Sequence, residues 1–566
     1  MAGPGAHAAP AGVTGRPTPA GVARLARSVR RLDGSQVVHR VRLRGQRQLD
    51  ARGGGARPWR RLAGAPAPTL RALAPVSREA GLHDAAEAHA VVDGTLVVQG
   101  QALDGHLDWD PPWPRLALMH LHYADWLHAF AAHPDRAWAQ DRVVAVVRHW
   151  AAAVRPGAWM PWHPYVVACR GWNLAAVLPG LLDDVPEDLA RLVWFHGDQL
   201  RRNLELDVRG NHLVRDLRGL VALGLACGEP SWVDDGVAGL ERAVAEQVLA
   251  DGGHHERSPY YHVQVLVDLA EVCDLLDLER GSAPPVLVAA TDAMRSWLGA
   301  VQVDTGRLPV VNDGLPVAAR RDEVPTVGPG LVDLAPSGYA VARRGPWWAM
   351  VDVGTPAPRT LPAHGHCSLL ALELAHRGQP LLVNTGSSTY DDPAVRAAER
   401  GTLAHNTVQV DGAEPSEVWD RFRMGRQAEP VGVEVRPGGP EHVVAAGHDG
   451  YRRLPGAPAH RRTVAVADDL VRVVDVVHGG GQHRAVGVWR LAPGRAVAPA
   501  GPGRVLVDDE LVLEVRGADE VELVPADAPG AAWVALDYGH RQAVPSLRWQ
   551  AAGSAVTVTT EVRPVG

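Results

Sequence analysis

The chain has 566 residues and a formal net charge of -7, and all 57 of its Lys-plus-Arg residues are arginine. With no lysine there is no amine for a Schiff base and no ammonium for a P-loop or protein-kinase site, so pyridoxal-phosphate enzymes, P-loop NTPases and ordinary protein kinases are excluded. What remains is a cation that keeps its proton and grips carboxylates in a planar fork, so a general base must come from another residue type.

Residues 1–65 form a basic arm. Up to residue 64 it carries thirteen Arg against Asp33 and Asp50, a net +11 that leaves -18 for the rest of the chain. Such an arm suits nucleic acid or a membrane surface, but GVARLARSVRRL is amphipathic and an acidic body is at hand, so intramolecular docking and no nucleic-acid partner are expected. The first thirty residues lack a continuous apolar stretch of the kind an export signal needs. No apolar run approaches the ~20 residues of a membrane span. The reading is a cytoplasmic protein without a transmembrane segment, periplasmic or secreted only if the start site is misassigned. Cys169, Cys227, Cys273 and Cys367 are far apart with no CxxC pair, which suggests neither a thiolate zinc module nor a disulfide framework.

Residues 66–325 show apolar stripes of period near 3.6 between short Pro, Gly and Asp breaks, as in RLALMHLHYADWLHAFAAH and HLVRDLRGLVALGLACG. Many successive helices of this size suit an α/α toroid or solenoid better than a four-helix bundle. After PTVGPG at 325–330 the period changes to 2, in WWAMVDV, NTVQVDG and SAVTVTTEV, so residues 331–566 read as an antiparallel β-sandwich. The chain is therefore α+β and multidomain.

Four segments carry residues suited to chemistry. In WHPYVVACRGWN, Arg170 with Trp162 and Trp172 would offer a carboxylate fork beside flat aromatic faces, a surface for an acidic sugar, although Trp on a helix is more often core. In GNHL, Asn211 and His212 open a helix, where Asn is also a common N-cap. In ERSPYYH, Ser258 is a natural N-cap and Pro259 a natural first residue, which puts Tyr260 and Tyr261 in the first turn. The helix dipole there, with a neighbour such as Arg257, would favour phenolate and make tyrosine a base. In HGHCSLLALEL, His364 and His366 would share a strand face with Cys367 turned away, and His405 would join them in a cluster that binds zinc or relays protons.

Taken in order, GNHL at 210–213, ERSPYYH at 256–262, HGHCSLLALEL at 364–374, PLLVNTGSSTY at 380–390 and AHNTVQVDG at 404–412 resemble the heparinase II/III-like polysaccharide lyases, a family that includes alginate and oligoalginate lyases. The resemblance spans roughly residues 110 to 430. It implies an α/α toroid joined to a β-sandwich with the site between them, and cleavage of an acidic, uronate-containing polysaccharide or oligosaccharide by β-elimination to a 4,5-unsaturated end. It further implies that Asn211 binds the uronate carboxylate with His212 beside it, and that Tyr261 and His364 share the base and acid roles. No cofactor is required for that chemistry.

A structural zinc at His366, His405 and Asn384 is the remaining expectation. Ser368 and Asn384 stand where members commonly have Asp, however, and a neutral amide is a poor zinc ligand. Two other functions stay open at this point. One is a glycoside hydrolase using Glu256 and Asp391 as its carboxylate pair. The other is a non-catalytic protein that binds or assembles acidic polysaccharide, for which Ser368 and Asn384 are the motive.

Overall fold

The computed structural model describes residues 19–52, 56–78, 80–157, 159–317 and 324–565. The first eighteen residues of the basic arm lie outside the described residues. Among those described, thirteen α-helices precede Gly330 and antiparallel strands follow it, an α/α toroid and a β-sandwich in the order the periodicity suggests.

The helix Gly210–Cys227 runs through the middle of the helical half, and every residue of it except His212 is buried. A helix buried on all sides cannot be stripe-like, so its charged residues need internal partners. Arg215 pairs with Asp268 at 2.8 Å, Arg218 with Glu271 at 2.5 Å, and Asp216 accepts from the Glu205 amide at 2.8 Å. Gly219 lets the helix Pro164–Leu181 approach closely, since a Cβ there would stand 2.9 Å from the Ala168 carbonyl oxygen. The apolar contacts around this helix, Leu217, Val221, Val265, Leu269 and Trp297 among them, supply most of the burial, each fully buried side chain contributing roughly 1.5–3 kcal/mol.

One long apolar-periodic segment is broken where periodicity predicts continuity. RLALMHLHYADWLHAFAAH gives two helices, Arg115–Tyr123 and Leu127–Ala131, with Ala124 between them in the left-handed region at φ 61. The break is held from outside: the Asn173 amide donates to Tyr123 O at 3.0 Å and to Asp125 Oδ1 at 2.7 Å.

In the second half, a five-stranded sheet faces a ten-stranded one. Trp347, Val351 and Leu372 from the first interleave with Val464, Val473, Trp489 and Trp549 from the second. The strands Val471–Arg490 and Ser546–Pro564 pair along most of their length and form the spine of the larger sheet.

The arm is helical at Pro19–Val29 and Gly34–Arg52 and docks on both halves. Arg27 Nε donates to Glu417 at 2.8 Å and Ser28 Oγ to Met424 O at 3.3 Å on the sheet side. Gln36 donates to Asp207 O at 3.3 Å on the helical side. The surplus positive charge of the arm is thus partly met by carboxylates of the acidic body.

Candidate active site

Between the two halves lies a cavity of about 970 Å³, closed on one side by Leu25, Val29, Val37 and Val41 of the arm. Eight arginines and four acids line it, so the local field is positive although the chain is net negative. Among the described residues, Arg44, Arg115 and Arg359 on its rim make no side-chain ion pair. Six of the chain's eight tyrosines also face it.

Asn211, His212, Tyr261 and His364 meet in this cavity. Asn211 does not cap its helix: the N-cap position belongs to Arg209, and the Asn211 side chain reaches Glu256 instead, at 3.1 and 3.0 Å, while its backbone amide donates to the same carboxylate at 2.6 Å. Glu256 thus takes one amide N–H and leaves the other for a ligand. Gly210 is required beside it, at φ +57 with an added Cβ 2.1 Å from Glu256 Oε1. His212 Nδ1 lies 3.0 Å from Glu205. Burial opposes its protonation, but Glu205, with Glu256 and Asp207 behind it, outweighs that and raises the imidazole above its ordinary range.

Ser258 caps the helix Pro259–Arg280, accepting from Tyr261 N, and its Oγ donates to Asp313 O at 2.6 Å. Tyr261 therefore sits in the first turn, its ring 4.1 Å from that of His364. The setting disfavours the phenolate expected there. Burial first, then Tyr390, Tyr538 and Asp313, push the phenol well above the usual tyrosine range. Arg257 is turned away and donates to Thr355 O. A half-charge at a helix end does not offset the loss of hydration.

His364 and His366 lie in a loop ahead of the strand Leu372–His376, not on a strand. They converge because Asp313 binds both: His364 Nδ1 at 2.8 Å and His366 Nε2 at 2.7 Å. Asp313 also takes Ser387 Oγ at 2.8 Å and both ends of the Arg396 guanidinium. Burial alone would raise this carboxyl, yet Arg396 and the two histidines hold it well below the usual carboxylate range.

Arg170, Trp162 and Trp172 do not line the cavity, which corrects the substrate-binding reading of that segment. The helix Pro164–Leu181 is buried nearly all round, so Arg170 is spent on His196, His122 O and Pro161 O, each within 2.9 Å, beneath the rings of Trp150 and Trp162. Trp172 is 2% exposed and covered by the Arg218 guanidinium at 3.6 Å. Trp159 and Phe422 line the cavity instead, beside the six tyrosines.

The zinc set is the second correction. The His366 and His405 rings are 5.2 Å apart, and His366 Nδ1 and His405 Nε2 are buried without partners. Asn384 supplies only an amide oxygen, already 3.1 Å from His405 Nδ1. No described carboxylate or thiol completes a three-ligand group with both imidazoles; Asp313 is held on His366 Nε2, and Arg396, Arg400 and Arg490 act on the pair. Two imidazoles and an amide already engaged do not make a zinc site. Ser368 is engaged elsewhere, donating to Asp352 at 2.7 Å. His254, His255 and Glu256 do form a three-ligand group, but both oxygens of Glu256 are already used by Asn211 and by His364, the latter at 3.2 Å.

Residues 183–323 match the family described as Heparinase II/III N-terminus and residues 326–555 that described as Heparinase II/III-like, C-terminal. The chain belongs to the heparinase II/III-like polysaccharide lyase family. Membership gives its enzyme class, a lyase acting on polysaccharide. It is 28% identical over 425 residues to FtsZ-localized protein C of Caulobacter vibrioides, covering 69% of this chain and 71% of that one. A solved heparinase III is similar in fold, with a TM-score of 0.69, 17% identity and coverage of 92% of this chain and 91% of that one. The chondroitin AC lyase of Streptomyces coelicolor A3, solved with chondroitin sulphate, has a TM-score of 0.52 at 14% identity, covering 86% of this chain and 79% of that one.

Asp313, Arg396, Glu205, Tyr390 and Tyr538 were not singled out by the sequence. Asn312-Asp313-Gly314 reads as a turn, and nothing local marks Tyr538. Tyr390 lies inside a recognised motif and was the one within reach.

Proposed function

We propose that this lyase cleaves a uronate-containing polysaccharide or oligosaccharide by β-elimination, leaving a 4,5-unsaturated uronate end. The observation that carries the reading is the convergence of Asn211, His212, Tyr261 and His364 from both halves on one arginine-lined cavity. The free N–H of Asn211 and His212, whose protonated form Glu205 favours, take the uronate carboxylate, which makes the C5 hydrogen acidic and stabilises the enolate-like intermediate. His364 has Nδ1 on Asp313 and Nε2 3.2 Å from Glu256, so Nε2 removes that proton once the substrate has displaced the Glu256 contact. Tyr261, kept neutral by burial, is suited to protonate the leaving C4 oxygen, so the division of labour is His364 as base and Tyr261 as acid.

The test is to offer a panel of uronic polymers and follow the ultraviolet absorbance of the unsaturated product. Activity on at least one polymer is expected, with Tyr261→Phe lowering kcat by about 10²–10⁴. New reducing ends without that absorbance would instead support a hydrolase built on Glu256 and Asp391. That alternative is disfavoured because both Glu256 oxygens hold Asn211 and His364. Binding without any cleavage would support the non-catalytic reading.

A further inference from the structure

The three tyrosines around the leaving-group side form a continuous chain of hydroxyls. Tyr261 Oη is 2.9 Å from Tyr390 Oη, and Tyr390 Oη is 3.2 Å from Tyr538 Oη. They come from three places: the first turn of the helix Pro259–Arg280, the loop after the strand Gln379–Leu382, and the turn between the strands Ala532–Asp537 and His540–Val544. The last hairpin is pinned in place, with the Ala535 amide on Thr385 O and the Gly539 amide on Ser388 O, both 2.7 Å. A ring that only fills space does not need its hydroxyl against another hydroxyl. Tyr261 is 9% exposed, while Tyr390 and Tyr538 are both half-buried, Tyr538 between exposed Asp537 and Gly539.

A phenol buried as Tyr261 is does not persist as phenolate, so it must regain a proton before the next turnover. Each phenol can accept one hydrogen bond and donate another, which is what a relay requires.

We propose that Tyr390 and Tyr538 relay a proton from solvent at the cavity mouth to Tyr261 after each elimination, an inference that rests on the lyase reading above. In the elimination the C5–H pair becomes the C4=C5 double bond and the C5 proton goes to His364. The C4–O bond breaks with its electron pair on oxygen, and that oxygen takes the Tyr261 proton. The Tyr261 phenolate then takes the proton of Tyr390, Tyr390 that of Tyr538, and Tyr538 one from water. His364 returns its proton to solvent, and no oxidant or co-reactant enters. The groups facing the chain are the His364 ring at Tyr261, Arg396 at 5.0 Å and Phe422 at Tyr390, Tyr260 at Tyr538, and Asp313, whose charge acts on all three tyrosines. Arg396 is neutralised by Asp313, so no charge other than the relayed proton sits on the path.

The experiment compares the full-length protein with Tyr538→Phe and Tyr390→Phe on a uronic polymer that the unaltered protein cleaves. It measures kcat, KM, melting temperature and the rate as a function of deuterium content. The relay predicts that Tyr538→Phe lowers kcat by about tenfold or more with KM and melting temperature unchanged. It also predicts that the number of protons in flight falls, and that a small acidic buffer species restores part of the rate. Unaltered kcat and deuterium dependence in Tyr538→Phe would overturn the relay while leaving the lyase reading intact, as would a kcat loss matched by a melting-temperature loss and untouched by buffer. Failure of the unaltered protein to cleave any uronic polymer would remove the lyase reading itself.

Discussion

Arg170 and Arg396 are both buried with a guanidinium near aromatic rings, 4.2 Å from the Trp150 centroid in one case and 5.0 Å from the Tyr390 centroid in the other. Around Arg170 every partner is neutral, His196 and two carbonyls, and burial pushes its guanidinium down to about 9. Around Arg396 burial works the same way, but Asp313 more than offsets it and raises the guanidinium. One arginine ties down an interior helix. The other fixes the carboxylate that orients His364 at the cavity wall. Arginine beside aromatics is therefore not in itself a sugar site, because what matters is which atoms the partners leave unused.

The largest expected effect separates the two directly. Arg396→Met should destabilise the fold by about 3–5 kcal/mol in urea titrations, because it takes the guanidinium from buried Asp313 and leaves that carboxylate only His364, His366 and Ser387. Equal stability would mean that Asp313 is not carried by that pair. Next, Asn211→Ala removes a donor that still has an unused N–H, and kcat/KM should fall about a hundredfold or more with the melting temperature little changed. A smaller effect concerns pH. The folded pKa of His212 is raised by Glu205, so its contribution to stability is complete at acid pH and is lost as pH rises through the folded value. Relative to the unaltered protein, Glu205→Gln should be least stable at acid pH and the gap should narrow as pH rises through the raised folded value, as read by thermal melts at increasing pH. The smallest effect on activity is expected from Arg170→Met. It strands no carboxylate but leaves His196 and two buried carbonyls unpaired, so KM should be unchanged while stability falls by about 1–3 kcal/mol or more, and a raised KM would return Arg170 to the substrate surface.

Legibility followed the range of the interaction. The change of period from 3.6 to 2 marks the two halves because amphipathic periodicity is local. Ser258 and Pro259 placed Tyr261 correctly because capping involves three neighbouring residues. The state of that tyrosine was misjudged, since its environment is set by Tyr390 and Tyr538, 129 residues away and further. His364 and His366 were paired through an assumed strand. They meet instead through Asp313, about fifty residues upstream, whose turn-like setting gave no sign of its role. Arg170 was misread because whether a helical arginine faces a cavity or a core depends on what the other helices cover.

Residue types, their spacing and the absence of lysine determined the two-part architecture, the family motifs and the exclusion of an amine from acid–base chemistry. Three things waited on the tertiary structure: which arginines remain open to an anion, that burial disfavours a Tyr261 phenolate, and that His366, His405 and Asn384 fall short of a zinc site. Each is a matter of desolvation and partner saturation, which arise only when segments remote in the chain are packed together and water is excluded between them.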